Sequence, residues 1–105
     1  MRVFVVERAA SASKKWSVYE LFQTGHRSIP VSFGAKGYDD YTTHKDPERK
    51  KSYLARHAPR EDWTLSGVGT AGFWSRWLLW NEPSLEESAR DIERRFWIQV
   101  IVRAR

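Results

Sequence analysis

Residues 83–102 read PSLEESARDIERRFWIQVIV, and a change of period inside this stretch decides the fold. Ser84 followed by Glu87 makes a capping box, with Pro83 ahead of it, so a helix starts here. Leu85, Ala89, Ile92 and Phe96 recur at helical spacing and define one apolar stripe. Glu86–Arg90 and Asp91–Arg95 are i,i+4 pairs of favourable orientation on the wet side. After Phe96 the pattern breaks. Residues 97–102 (WIQVIV) are β-formers and predict a final strand, which tails into Arg103 and Arg105.

Working outward, residues 3–6 (VFVV) predict a first strand and residues 9–15 (AASASKK) a loop. Residues 16–22 (WSVYELF) predict a second strand, with Trp16, Val18 and Phe22 on one face and Tyr19 and Leu21 on the other. Gly25 to Ser28 turns the chain. Ile29, Val31 and Phe33 then alternate with Pro30 and Ser32, and Pro30 confines this third strand to an edge or an irregular extension. Asp46 before Pro47 is an N-cap with proline at the first helical position; that helix runs to His57, and Pro59 stops it. Gly67 and Gly69 precede a short helix over residues 71–80 (AGFWSRWLLW), apolar nearly all round.

The expected architecture is α+β in one small domain, residues 1–105. It has an N-terminal β region (1–33), a helical core (34–96) with three short helices in the second half, and a C-terminal strand (97–105). The first and last strands are expected to pair, because domain termini tend to lie close together.

Composition narrows the function. The 105 residues contain no cysteine, which removes disulfides, thiolate nucleophiles and cysteine-based metal centres. No apolar stretch reaches the roughly 18 residues of a membrane span, and the apolar run at residues 3–6 is too short for a signal peptide. The chain therefore reads as an intracellularly made, unprocessed protein without a lipid anchor or membrane span. Eighteen Lys and Arg against thirteen Asp and Glu give +5, a mild preference for anionic partners. Six tryptophans among fifteen aromatics are the outlying count, more than a small core holds easily, and they predict a contact surface.

Three constellations compete. Asp39, Asp40, His44, Asp46 and His57 are the only cluster of catalytic residue types. They match no metal or nucleophile motif, and Asp46 is already explained as a cap, so no catalytic, cofactor or metal residue is assigned. An enzyme would need Asp39, Asp40, His44 and His57 to converge on one cleft. Arg49, Lys50, Lys51 and Arg56, with Arg95 on the last helix, form the candidate nucleic-acid contact, although acids are threaded among them. Trp74, Trp77 and Trp80 at i, i+3, i+6, with Phe73 and Arg76, are the candidate protein interface; core packing is the competing reading of the same stripe.

The run from Gly34 to Phe96 also resembles a small family carried by large nucleocytoplasmic DNA viruses, including chlorella-type viruses. The resemblance rests on Gly37-Tyr38-Asp39-Asp40-Tyr41-Thr42, His44-Lys45-Asp46, Arg49-Lys50, Tyr53, Arg56-His57, Trp63, the block TAGFWSRWLLW over residues 70–80, Asp91-Ile92 and Arg95-Phe96. It implies a viral protein and supplies no catalytic residues. Together with the small size and the tryptophan surplus, it leads to the expectation of a structural minor capsid protein of a large icosahedral double-stranded DNA virus. Such a protein is made in the host cytoplasm and resides in the virion capsid. It cements the major capsid protein and other minor capsid proteins through aromatic anchors, with weak DNA contact on its basic side. The alternative expectation is a small nucleic-acid-binding accessory protein using its basic helix.

Overall fold

Strand β1 (Val3–Arg8) lies inside a four-stranded sheet between β2 (Lys14–Leu21) and β4 (Gln99–Arg103), with β3 (Val31–Ala35) outside β2. The computed structural model describes residues 1–103; residues 104–105, the expected tail of the last strand, lie outside them. β1 and β2 form an antiparallel hairpin with Val5 opposite Tyr19, and β3 adds antiparallel to β2 with Trp16 opposite Phe33. β4 returns parallel to β1, with Val5 opposite Ile101. The first and last strands thus pair with each other inside the chain.

Alternation assigns the two faces of the sheet. Phe4, Val6, Trp16, Val18, Phe33 and Val100 point to one face and merge with the helical residues Phe73, Trp74, Leu78, Ala89 and Ile92 into a single core. Val3, Val5, Tyr19, Leu21 and Ile101 stand on the opposite face and outside that core cluster. Val5 and Tyr19 are nonetheless buried, and the Arg27 guanidinium lies 4.6 Å from the Tyr19 ring centre.

The helices follow their caps. Ser84 accepts from the Glu87 N–H and starts α4 (Leu85–Phe96), whose Ala89 and Ile92 are fully buried. Asp46 accepts from the Glu48 N–H and starts α2 (Pro47–His57). One further turn, α1 (Tyr41–His44), begins at Asp40. The Asp40 carboxylate takes the Thr42 N–H while the Thr43 hydroxyl accepts from the Asp40 N–H. The second expected helix is α3 (Ala71–Trp74) running directly into a π-helical turn (Ser75–Leu79), closed by the Trp80 N–H reaching the Ser75 carbonyl. The wider turn lets Trp77, Leu78 and Leu79, three consecutive residues, all be buried. Among the described residues no helix is long and apolar enough to cross a membrane.

Three local expectations change. Phe22 falls past the end of β2 and is exposed, because the chain turns there: the Phe22 N–H bonds the His26 carbonyl and the Gly25 N–H the Phe22 carbonyl. Ile29 is likewise outside β3 and exposed. Arg90 pairs with Glu93 rather than Glu86, because Glu93 is already drawn toward β4 by a backbone hydrogen bond.

Candidate functional site

The aromatic block expected to form a protein interface is the core of the protein. Phe73 and Trp74 are fully buried and Trp77 nearly so, while Trp80 is half-buried. Each buried indole N–H has an internal acceptor: Trp74 donates to the Val68 carbonyl at 2.7 Å and Trp77 to the Trp63 carbonyl at 2.9 Å. This removes the usual cost of hiding tryptophan. Trp80 stacks on Tyr53 with ring centres 4.2 Å apart and planes within 4°. Arg76 is also turned inward, its guanidinium 4.1 Å from the Trp77 ring and donating to the Trp80 carbonyl at 3.0 Å. Burial lowers its pKa, and the nearby charge of Arg95 lowers it further. Phe73, Trp74, Arg76, Trp77 and Trp80 are therefore committed within the chain.

The exposed tryptophan is Trp97, at 80% of its full accessibility. It follows α4 directly and sits in the left-handed region at φ 58°, where its N–H reaches back to the Glu93 carbonyl and closes the helix. Glycine or asparagine is the usual residue at such a cap, because a Cβ there meets the following carbonyl. Trp97, Met1, Val3, Leu21 and Phe22 line an open groove of about 790 Å³ at one end of the sheet. Arg2 and Glu20, paired at 2.9 Å, form part of its wall. Val3 and Leu21 belong to the sheet face outside the core, so the groove continues that face. The sequence reads Trp97 as the first strand residue. That it is a helix cap depends on how α4 joins β4, which the local pattern does not encode.

The acid–base candidates come only partly together. Asp39, Asp40, Tyr53 and His57 line a cleft of about 250 Å³ beside the start of β2. The Asp40 carboxylate is occupied, since it caps α1 and takes the Lys15 ammonium at 2.8 Å. His44 lies off this cleft: its Nδ1 accepts the Asp46 N–H at 2.9 Å, and its ring packs 5.2 Å from Trp80. His57 Nδ1 meets Glu61 at 2.9 Å, and its ring stacks on Tyr53. Burial, then the charge of Glu61, pushes the Tyr53 hydroxyl up to about 12, so it stays protonated. Asp39 and His57 therefore share a cleft, but His44 and the Asp40 carboxylate are spent on local structure. Among the described residues no group of three His, Cys, Asp or Glu is placed to hold a metal ion.

The basic candidates divide. Lys50 donates to the Asn81 carbonyl at 2.6 Å and lies over the Tyr41 ring, and burial, then the charge of Arg76, lowers its pKa. Arg95 pairs with Asp91 at 3.3 Å and covers Trp77. Both are engaged. Arg49, Lys51 and Arg56 are exposed and have no ion pair among the described residues.

A four-stranded mixed sheet packed against α3, the π turn and α4, with an open apolar groove at one end and a basic helix outside, defines a small α+β protein. The chain belongs to a family of unknown function (DUF5754), which it matches over residues 4–57, from β1 to the end of α2. No curated protein and no solved structure matches it significantly. The family match shares residues 34–57 with the resemblance noted in the sequence. It takes in the first three strands as well, and it ends before the tryptophan-rich block.

Proposed function

We propose that this chain is a structural, non-enzymatic component of a larger protein assembly. The sequence resemblance implies a viral protein, and the assembly we infer from it is the capsid of a large icosahedral double-stranded DNA virus. The docking surface is the groove at Trp97, and its occupant is an apolar segment of a neighbouring capsid subunit. The carrying observation is Trp97 itself. A left-handed backbone costs a residue with a Cβ about 1–2 kcal/mol, and the Trp97 ring carried on that Cβ faces water. Among the described residues the Trp97 side chain makes no ring contact and no hydrogen bond. A partner that covers the ring removes roughly 200 Å² from water, worth about 5 kcal/mol before the costs of association. Met1 and Phe22 line the same groove and extend the patch, and the Arg2–Glu20 pair supplies a polar wall of the kind that rims interface cores.

The test is incorporation into particles. Virions assembled with the wild-type chain should contain it in the shell, and a Trp97→Gly chain of equal or greater stability should be left out. Absence of the wild-type chain from purified shells sinks the proposal, as does full incorporation of the Trp97→Gly chain.

A further inference from the structure

Of the eighteen bases and thirteen acids in the chain, residues 45–60 hold six bases and two acids, so four of the five net positive charges fall on α2 and its flanks. The remainder is close to balanced, with twelve bases against eleven acids. Pairing separates the two basic helices further. On α4, Arg90 meets Glu93, and Arg94 and Arg95 meet Asp91. Around α2, Arg49, Lys51, Arg56 and Arg60 enter no ion pair among the described residues, and the Asp46 carboxylate is engaged in capping.

The free cations are also ordered. Arg49 and Arg56 are seven residues apart, two helical turns, which places them about 10.5 Å apart along the axis on one side of α2. Ser52 lies between them, and all three line a groove of about 390 Å³ with Glu48 and Trp80. The adjoining face of the helix is fastened down by Tyr53 on Trp80 and by Lys50 on the Asn81 carbonyl. The row is thus presented outward on a helix that cannot easily turn.

We infer that the outer side of α2 binds the sugar–phosphate backbone of double-stranded nucleic acid through Arg49, Ser52 and Arg56. Guanidinium forks and a hydroxyl match non-bridging phosphate oxygens, and unneutralised arginines release condensed counterions on binding. A regular anionic polymer suits a row repeated along a rigid helix. The duplex form follows from Trp80. Already stacked on Tyr53 and packed by His44, it turns little free ring face to the groove, so an unpaired base has no platform there. None of the three residues reads base edges in this arrangement, so the contact is independent of sequence. The surface shares no residue with the Trp97 groove, and the two readings fail separately.

The experiment is fluorescence anisotropy with a labelled duplex of about 20 base pairs, read between about 50 and 200 mM salt. Wild-type affinity should fall with salt. The Arg49→Gln/Arg56→Gln chain should lose about 1.8 of the logarithmic salt slope, two phosphate contacts' worth. Arg94→Gln/Arg103→Gln removes equal charge elsewhere and should keep the wild-type slope. Unchanged near-ultraviolet dichroism of the tryptophans verifies that both variants fold. The inference is overturned by no binding at the lowest salt, or by equal slope loss in both variants. It is likewise overturned by tighter binding of the matching single strand, or by poly-glutamate competing as well as duplex.

Discussion

Arg90 and Glu93, three residues apart on α4, hold the Val100 peptide of β4 between them. Glu93 Oε2 accepts the Val100 N–H at 2.9 Å, Arg90 Nη2 donates to the Val100 carbonyl at 2.9 Å, and the two side chains pair with each other at 2.9 Å. They give the outer edge of β4 the donor and acceptor that a fifth strand would supply. An open edge with unpaired N–H and C=O groups is a template for another chain. Replacing both residues with alanine should cost about 1–3 kcal/mol, since hydrogen bonds to charged groups are lost beside a buried strand. It should also give concentration-dependent dimers on size-exclusion chromatography with light scattering. Glu93→Gln, which keeps the acceptor, should remain monomeric. A double variant that stays monomeric at the highest soluble concentration shows that the pair does not guard the edge.

At Trp97, stability and contact are expected to move in opposite directions. Trp97→Gly relieves the positive φ of 58° and should raise the stability of the isolated chain by about 1 kcal/mol in urea denaturation. Trp97→Ala keeps the Cβ and should give no such gain. If both variants destabilise the chain by the same amount, the ring packs within the chain after all, and its exposure is not the reason for its presence.

These two positions show where the sequence stops being readable. α4 and α2 were legible because their signals are local. Ser84 and Asp46 cap within three residues, and Ala89 and Ile92 repeat at helical spacing onto the sheet. The α+β class follows from the change of period at Phe96. The number of tryptophans does not show which rings are core, because a count of aromatics says nothing of acceptors. Val68 and Trp63 offer carbonyls to buried indoles only after the chain has folded. Helical spacing pairs Arg90 with Glu86, while its partners are Glu93 and a strand residue ten positions on. The basic set was legible as a set. Which members are free was not, because the engagement of Lys50 with Asn81 spans 31 residues.

Gly34 marks a close approach that the sequence shows only as one of several turn glycines. Its φ is 78°, and a Cβ there would sit 2.8 Å from Leu79 Cδ1 in the π turn. Gly34→Ala combines a strained backbone with a contact inside van der Waals range, and Leu79 is buried and cannot swing out freely. The expected loss is about 2–3 kcal/mol. Gly37→Ala, equally positive in φ but with open space around its Cβ, should lose only the backbone part, about 1 kcal/mol. Equal losses at the two positions in thermal denaturation would show that Leu79 yields and that the close approach carries no cost.

The stack of His57, Tyr53 and Trp80 makes a prediction at high pH. Burial raises the Tyr53 hydroxyl to about 12, from an ordinary value near 10 in the unfolded chain. Below about pH 10 the hydroxyl is protonated in both states, and its favourable environment contributes in full. Between about 10 and 12 the unfolded chain loses the proton while the folded chain keeps it, so stability falls through that window and then levels. A two-unit difference corresponds to about 2–3 kcal/mol. The comparison is with Tyr53→Phe, which keeps the ring between His57 and Trp80 and removes only the hydroxyl. Urea midpoints taken across this window should fall more steeply for the wild type than for Tyr53→Phe. Parallel curves would mean that Tyr53 ionises alike in both states and that the stack does not hold its proton.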